Sequence, residues 1–524
     1  MNKNAVILVL IGGLAAFTQA QTPNPQRTGP TRVTWRTRTL VGDQRLMQWR
    51  VGPAAAAFPS LTFVETIAKA DSLGLSSIEG SAAQKTSPEI SKPFDYRLSA
   101  DERASVQTAL KDANVKLVAY RAGPLPTDEA GIRNVLEFAK AMGADTVVAA
   151  AAPASTIKLA SDLGVRLGAD NDQILIVNVK DGGSTKFFNE LNGRNNRPLF
   201  LALNATGTDR DAAMLKAVEA FENAVQPVLG AFVVAASKSM PIRSGDSLPA
   251  DVKAQIEAAI PKAAYAKPKK PRKLLVIDAC VANMSHNTIP HFNLAIELMA
   301  KNTGAFEAIF DNNLENLRWP KIKEFDAIYL NDTVGELFPD PEIRQSLLRY
   351  VREGGGIGGW HGSPWASRSW RELGDMMAAM DAPHRIEPAY MKLDDPKSPI
   401  NQAFDGTGLQ HTEEYYRFNH TGPTGGFYSR DKVHVLLSLD TDKSPEIFKP
   451  GRNGQPFYQR PDNDYAVAWI RSYGKGRVFY NSMGHMPATM MSKQIMGHVF
   501  GGIQFILGDL EADTTPSAKL AAKK

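Results

Sequence analysis

All nine histidines of this 524-residue chain lie between His286 and His498, and residues 1–285 contain none. An imidazole changes charge near neutral pH and can act as general base, nucleophile or metal ligand, so this asymmetry assigns such chemistry to the C-terminal half. The most informative stretch is GGGIGGWHGSPW. Gly354, Gly355 and Gly356 precede an apolar strand and Gly362 follows His361, which describes a backbone turning sharply from strand into helix. In a nucleophile elbow the exposed position carries Ser or Cys; here it carries His361. A histidine that only caps or hydrogen-bonds its own loop is the plainer alternative. In YGKGRVFYNSMGH a turn feeds a strand that delivers Asn481 and His485 to one rim. Arg477, at the start of that strand, is placed to hold a carboxylate or sugar hydroxyl, although an arginine there is more often a surface ion pair.

His286 sits in SHNTIPHF with His291 five residues on, and HTEEYYRFNH brings Glu413 and Glu414 between His411 and His420. Successive strand residues face opposite ways, so one glutamate points inward and the other toward water. Three histidines with a carboxylate suit zinc, and three protein ligands with an open position suit catalysis. No His-x-x-x-His pair marks such a site, so a divalent metal stays an open expectation for the C-terminal half.

The elements around these residues read as an open, doubly wound α/β sheet. KLLVIDA, Phe306 to Asp311, Ala327 to Asp332, Ile357 to Trp360, Val433 to Leu439, Tyr465 to Ile470 and Arg477 to Asn481 read as strands. Ile289 to Ala300, the face Ile343, Leu347 and Val351, Ser367 to Met380, and Ser492 to Leu507 read as helices. Ligands of such sheets sit at the carboxyl ends of the strands. That rule selects Asp278, Asp332, His361 and His485, with Trp360, Asn481 and His286 beside them as substrate-binding candidates.

Residues 31–245 repeat a strand, a loop and an amphipathic helix. Leu46 to Val51, Leu75 to Ile78, Lys116 to Tyr120, Thr146 to Ala151, Ile174 to Val179, Leu199 to Leu203 and Ala231 to Ala235 read as strands. Ile132, Val135, Leu136 and Ala139 share a helix face, and Gly74, Asn114 and Gly143 fall where helices end. Seven strands alternating with helices mean a parallel sheet bending toward a TIM-like (β/α) barrel, with the eighth strand not visible. Residues 246–272, with one short helical pattern (Val252 to Ile260) and ending in AAYAKPKKPR, read as a solvated linker, and 511–524 as a flexible tail.

Composition narrows the classes. With 43% hydrophobic and 22% charged residues the chain is an ordinary folded protein, and about 100–200 residues per domain gives two or three domains. A net charge of +5 from 60 basic and 55 acidic residues predicts no strong field for nucleic acid. One cysteine, Cys280, excludes an internal disulfide and any cysteine-based zinc cluster. At the N-terminus, Lys3 and the apolar run Ala5 to Phe17, too short for the ~20 residues of a spanning helix, precede Thr18-Gln19-Ala20. This reads as a cleavable leader over 1–20, hence a periplasmic or secreted protein; an uncleaved anchor is the alternative.

Six pieces in order carry a family resemblance: SHNTIPHF, GGGIGGWHG, APHRIEPAY around His384, DDPKSPI, HTEEYYRF and AWIRSYGKGRVFYNSMGH. Residues 273–510 resemble the ThuA-like (trehalose utilisation) family, which has a class I glutamine amidotransferase-like, flavodoxin-like fold. The resemblance implies a small-molecule carbohydrate as substrate, such as a glycoside oxidised at C3 by a separate sugar dehydrogenase. Ser398 departs from the family's usual histidine before Pro-Ile, and His361 replaces the elbow cysteine of amidotransferase relatives, which disfavours thiolate chemistry. More loosely, ADSLGLSSIEG and the helix-Gly-strand units resemble the sugar phosphate isomerase/epimerase family of xylose isomerase-like TIM barrels. That family's metal ligands are Glu, Asp, His and Glu; here Asn178 and Asn204 stand at the first two and the domain has no histidine, which implies a barrel without metal catalysis. Glu79 remains as a ligand contact or a solvated strand end.

These readings point to an exported protein that cleaves or rearranges a glycoside or 3-keto-glycoside, as a hydrolase or lyase. His361 or His485 is the expected base and Glu414 the proton donor, with Asp278, His286, Asp332, Trp360, Glu413, Arg477 and Asn481 binding substrate. Two other readings stay open: a non-catalytic carbohydrate-binding scaffold, and a metal-dependent sugar isomerase in the barrel.

Overall fold

The computed structural model describes residues 49–521 apart from 74, 114, 150–153, 169–173, 179–198, 205–209, 282–284, 368–369, 381, 419–424, 452–453 and 455. The expected leader, Gly74, Asn114 and His420 lie outside the described residues. Among those described, no helix is long and apolar enough to cross a membrane.

The first unit holds the strands β1 (Trp49–Pro53), β2 (Ser77–Ser81), β3 (Lys116–Arg121), β4 (Thr146–Val148), β5 (Arg166–Gly168), β6 (Ile174–Asn178) and β7 (Leu199–Asn204). They pair in the orders β6-β7-β1 and β2-β3-β4-β5, parallel throughout. Pairing of the last strand with the first is the cyclic order of a barrel, so the unit is barrel-like α/β. The helices α1 (Phe63–Ser72), α2 (Ala100–Asp112), α3 (Glu129–Ala141) and α4 (Ala154–Asp162) alternate with the strands. Reciprocal capping boxes, Thr62 with Glu65 and Ser99 with Glu102, start the first two of them. Val135, Leu136 and Ala139 are buried on α3, as their spacing requires.

The seventh expected strand is a correction. Ala231 to Ala235 is helical, part of α5 (Arg210–Ser237), and a short apolar run cannot be told from a buried helix segment by periodicity alone. The three-residue β5 was missed because it carries one large apolar residue, Leu167.

The second unit is a nine-stranded sheet of β8 (Lys273–Ile277), β9 (Glu307–Phe310), β10 (Ala327–Asn331), β11 (Gly356–Trp360), β12 (His384–Leu393), β13 (Leu409–Tyr416), β14 (His434–Leu439), β15 (Ala466–Tyr473) and β16 (Gly476–Asn481), in the order β13-β12-β14-β15-β16-β11-β10-β8-β9. The strands from β9 to β16 in that order are parallel, the second-first-third-fourth-fifth arrangement of a flavodoxin-like sheet. The other four extend it antiparallel. Alternate residues of the central strands enter different cores. Leu274, Val276 and Tyr329 pack with Phe292 and Ile296 of α7 (Ile289–Thr303) and with Val499 and Ile503 of the later helix Lys493–Leu507. Leu275, Ile277, Ile328 and Leu330 share the other core with Ile343 and Leu347 of α8 (Pro341–Arg352), and that core continues into the barrel-like unit through Leu229 and Val233 of α5.

Two segments read as loose are docked. The short helical pattern of residues 246–272 is α6 (Ala250–Ala259), but its Ile256 is buried, and Tyr265 and Ala266 donate backbone N–H groups to Gln504 Oε1 at 2.8 and 3.1 Å. Arg272 then pairs with Asp509 and Asp326. The Lys-Pro composition hid these partners, of which Gln504 and Asp509 come from the distant end of the chain. In the tail, Ser517 donates its N–H to Val433 O at 3.0 Å and accepts from Val435 N–H.

Candidate functional site

His286, Asp332, His361 and His485 follow the carboxyl ends of β8, β10, β11 and β16, where sheet topology places ligands. Asp332 and His361 adopt left-handed backbone, φ +52° and +46°, a conformation that side chains rarely take and that turns each strand end sharply. Gly362 is required beside this elbow, since a Cβ there would lie 2.4 Å from Asp332 Oδ1, and its N–H donates to that oxygen at 2.9 Å. The His361 N–H is held by Asn481 O at 2.9 Å and its Nδ1 lies 2.8 Å from Ser482 O. Nδ1–H therefore donates to that carbonyl, which turns Nε2 toward Glu414.

Glu414 reaches this edge from β13, the outermost strand of the sheet. β12 pairs with β14 only through Met391, Lys392 and Leu393, so the rest of β12, paired along its length with β13, leaves the sheet and folds back over the carboxyl ends. Glu414 Oε2 lies 3.4 Å from His361 Nε2 and 3.3 Å from His485 Nδ1. His286 Nδ1 lies 2.8 Å from Asp332 Oδ2. One ligand atom each of His286, His361, Glu414 and His485 falls within 4.8 Å of all the others, close enough to share a metal ion.

The electrostatics follow from this crowding. Burial opposes protonation of His361, but the Glu414 hydrogen bond and the charges of Asp332, Glu413 and Glu414 raise its pKa to about 9. Burial works against the charge on Glu414 too, yet the hydrogen bonds from His361 and His485 hold it well below the usual carboxylate range. The Glu414 hydrogen bond likewise raises His485, against its partial burial. A carboxylate held as an anion is not a proton donor, which corrects the role expected of Glu414.

The structure also removes several substrate-binding candidates. Asp278 is fully buried, and its carboxylate accepts from Asn293 Nδ2 at 2.7 Å, Asn312 Nδ2 at 2.6 Å and Arg243 N–H at 2.8 Å, which makes it a joint between the chain following α5 and the sheet. Trp360 lies in the core, stacked on Phe292 with ring centroids 4.2 Å apart. Arg477 pairs in register with Gly356 at the amino end of β11, the opposite end from the Trp360–Asn481 pair. Glu413 is the inward glutamate: fully buried, it accepts from Gly484 N–H at 2.9 Å, Met486 N–H at 3.1 Å, Glu414 N–H at 2.8 Å and Thr489 Oγ1, clamping both flanks of His485. Asn481 supports the same loop, its Oδ1 accepting from Met483 N–H at 2.9 Å.

Sequence reasoning missed His384 as a site residue. It opens β12 directly opposite Tyr416 and brings Nε2 to 3.9 Å from Glu414 Oε1. Its strand partner, two residues from Glu414 on the same strand face, was the available signal. In the barrel-like unit Glu79 is buried, pairing with Arg121 Nε at 2.6 Å and accepting from Ala55 N–H at 2.8 Å, so it is not a solvated strand end.

The fold and cluster define a flavodoxin-like domain with a histidine-carboxylate centre at its carboxyl edge. Residues 273–506 match the family model ThuA, described as trehalose utilisation, so this stretch is a ThuA-like domain. Among solved structures, a putative ThuA-like protein from Bacteroides uniformis is 17% identical, with 48% of this chain and 97% of that chain covered and a TM-score of 0.37. One from Parabacteroides merdae is 18% identical over 47% and 93% of the two chains, TM-score 0.34. An exo-beta-1,4-mannosidase from an Opitutaceae bacterium is 10% identical over 84% of this chain and 61% of that one, TM-score 0.26. The comparison with curated proteins returns no match.

Proposed function

We propose that the ThuA-like domain is a metal-dependent enzyme that cleaves or rearranges a glycoside or 3-keto-glycoside. The observation that carries this is the convergence of His286, His361, His485 and Glu414, their ligand atoms within 4.8 Å of one another. The residues fit a divalent cation. Their buried ligand atoms face one another, His286 Nδ1 against Asp332 Oδ2 and both His361 Nε2 and His485 Nδ1 against the single Glu414 Oε2, a crowding that a shared positive ion would satisfy. Three imidazoles and a carboxylate are a donor set suited to zinc. When bound, such an ion polarises a ketone or hydroxyl oxygen.

The chain's own residues bind and orient the sugar around that centre. A ketone at C3 acidifies the C2–H, so removal of that proton and departure of the C1 substituent is the reaction class that suits a 3-keto-glycoside. The ketone itself comes from a separate sugar dehydrogenase. Export through the leader at 1–20 to the periplasm or exterior belongs to this reading. So does a barrel of isomerase/epimerase type that has lost metal catalysis and now binds sugar or supports the second domain; the register of Asn178 beside Asn204, two neutral amides at strand ends, supports it.

The test is turnover of 3-keto-glucosides by the purified full chain, followed by mass spectrometry, together with metal content by elemental analysis. The expected result is about one divalent ion per chain and turnover lost in His361→Ala. Metal-free protein, or equal turnover in His361→Ala, overturns the proposal.

A further inference from the structure

The geometry points to His384 as the group that carries the proton in this reaction, taking it from C2 of the sugar and returning it to the departing oxygen. The inference rests on the function proposed above and goes beyond it by replacing the expected bases, His361 and His485. Those two side chains turn their Nε2 and Nδ1 toward Glu414 and the shared centre, at 3.4 and 3.3 Å, where a ligand has no lone pair left for a proton. Glu414 is engaged by both. Glu413 is spent on the 484–489 loop. Asp332 gives Oδ1 to the Gly362 N–H and sets Oδ2 against His286.

His384 is arranged differently. Its Nδ1 lies 2.6 Å from Ala382 O, so Nδ1–H donates and the lone pair belongs to Nε2. Nε2 lies 3.9 Å from Glu414 Oε1, beyond hydrogen-bond distance and outside the group of four ligand atoms. The side chain is 29% exposed, against 0% for His361, so a sugar can reach it. Its ring is steadied by Tyr416 and Trp365, with centroids 5.0 and 5.6 Å away. The position comes from the hairpin of β12 and β13, which carries His384 and Glu414 over the parallel strands as one unit.

The step balances without a co-reactant. The C2–H bond breaks, its proton goes to His384 Nε2 and its electron pair passes through the enolate of the C3 ketone. That pair then forms the C1=C2 bond as the C1–O bond breaks, and the departing oxygen takes the proton from His384. The products are an enone sugar and the free alcohol.

The experiment uses the full chain with methyl 3-keto-β-glucopyranoside as the probe, reading kcat, KM, metal per chain and deuterium uptake at C2 in D2O. His384→Gln is expected to keep the bound metal and a KM within about threefold while kcat and C2 exchange fall about 100-fold or more, the range of a lost general acid–base group. Free imidazole restores part of the rate to His384→Ala, which a purely structural role would not allow. Wild-type kcat in a metal-replete His384→Gln protein overturns the assignment, as does loss of the metal in that variant, which would make His384 a ligand. His361→Gln separates the two claims: it is expected to lose metal, whereas failure of the wild-type chain to act on the probe overturns the functional reading and this inference with it.

Discussion

Glu414 Oε2 lies 3.4 Å from His361 Nε2, although their strands, β13 and β11, are separated in the sheet by β12, β14, β15 and β16. Contact across that distance requires the antiparallel extension to curl over the parallel strands. The centre is therefore assembled from two structural units of one sheet, and its integrity depends on the hairpin as much as on the elbow.

Glu414→Gln and His286→Ala should each weaken binding of zinc to the full chain by at least tenfold, because each removes one donor from the centre. Titration with a chelator of known affinity measures this, and unchanged affinity in both variants would show that the cluster does not bind the ion.

Glu413 should matter for stability more than its absence from the reactive cluster suggests. Glu413→Gln puts an amide donor where an acceptor meets three backbone N–H groups and Thr489, and the loss should be about 3 kcal/mol, in the range for a buried charged partner removed. Thr489→Val, losing one hydroxyl, should cost about 1 kcal/mol. Urea unfolding distinguishes them; equal stability of Glu413→Gln and wild type would exclude the clamp.

Trp360 lies in the core and Arg477 at the far end of β16, so neither is a sugar contact. Trp360→Ala should destabilise the protein by about 3–5 kcal/mol as a core truncation. Arg477→Ala, at the far end of β16, should leave KM for any substrate unchanged. A large rise in KM for Arg477→Ala with stability intact would restore it to the site.

Stability should fall with acid through His498. Burial pushes the pKa of this fully buried imidazole down to about 3, while in the unfolded chain it returns to its ordinary 6.5. Below 6.5 the unfolded state binds a proton that the folded state refuses. Stability is thus complete above 6.5 and is lost as pH falls toward 3, with a slope approaching about 1.4 kcal/mol per pH unit. His498→Gln keeps a donor for Asn401 Oδ1 and should flatten that slope; an identical pH profile would assign the acid sensitivity elsewhere.

The sequence alone determined what local periodicity and glycine placement control. The unbroken apolar run Leu274 to Ile277, the GGGIGG strand, and the sharp turn at His361 were legible because burial on two faces and a left-handed elbow leave direct marks on residue type. The histidine asymmetry likewise placed the centre in the second unit. What only the tertiary structure decided were relationships over long separations: that Glu413 turns to a clamp and Glu414 to the centre, that Trp360 enters the core, that Arg272 fastens residues 246–272 against Asp509, and that His384 reaches Glu414. Strand alternation says that neighbouring side chains diverge, not which face a curled hairpin will turn inward. That choice depends on where β12 leaves β14, a pairing energy spread over many residues and written in none of them singly.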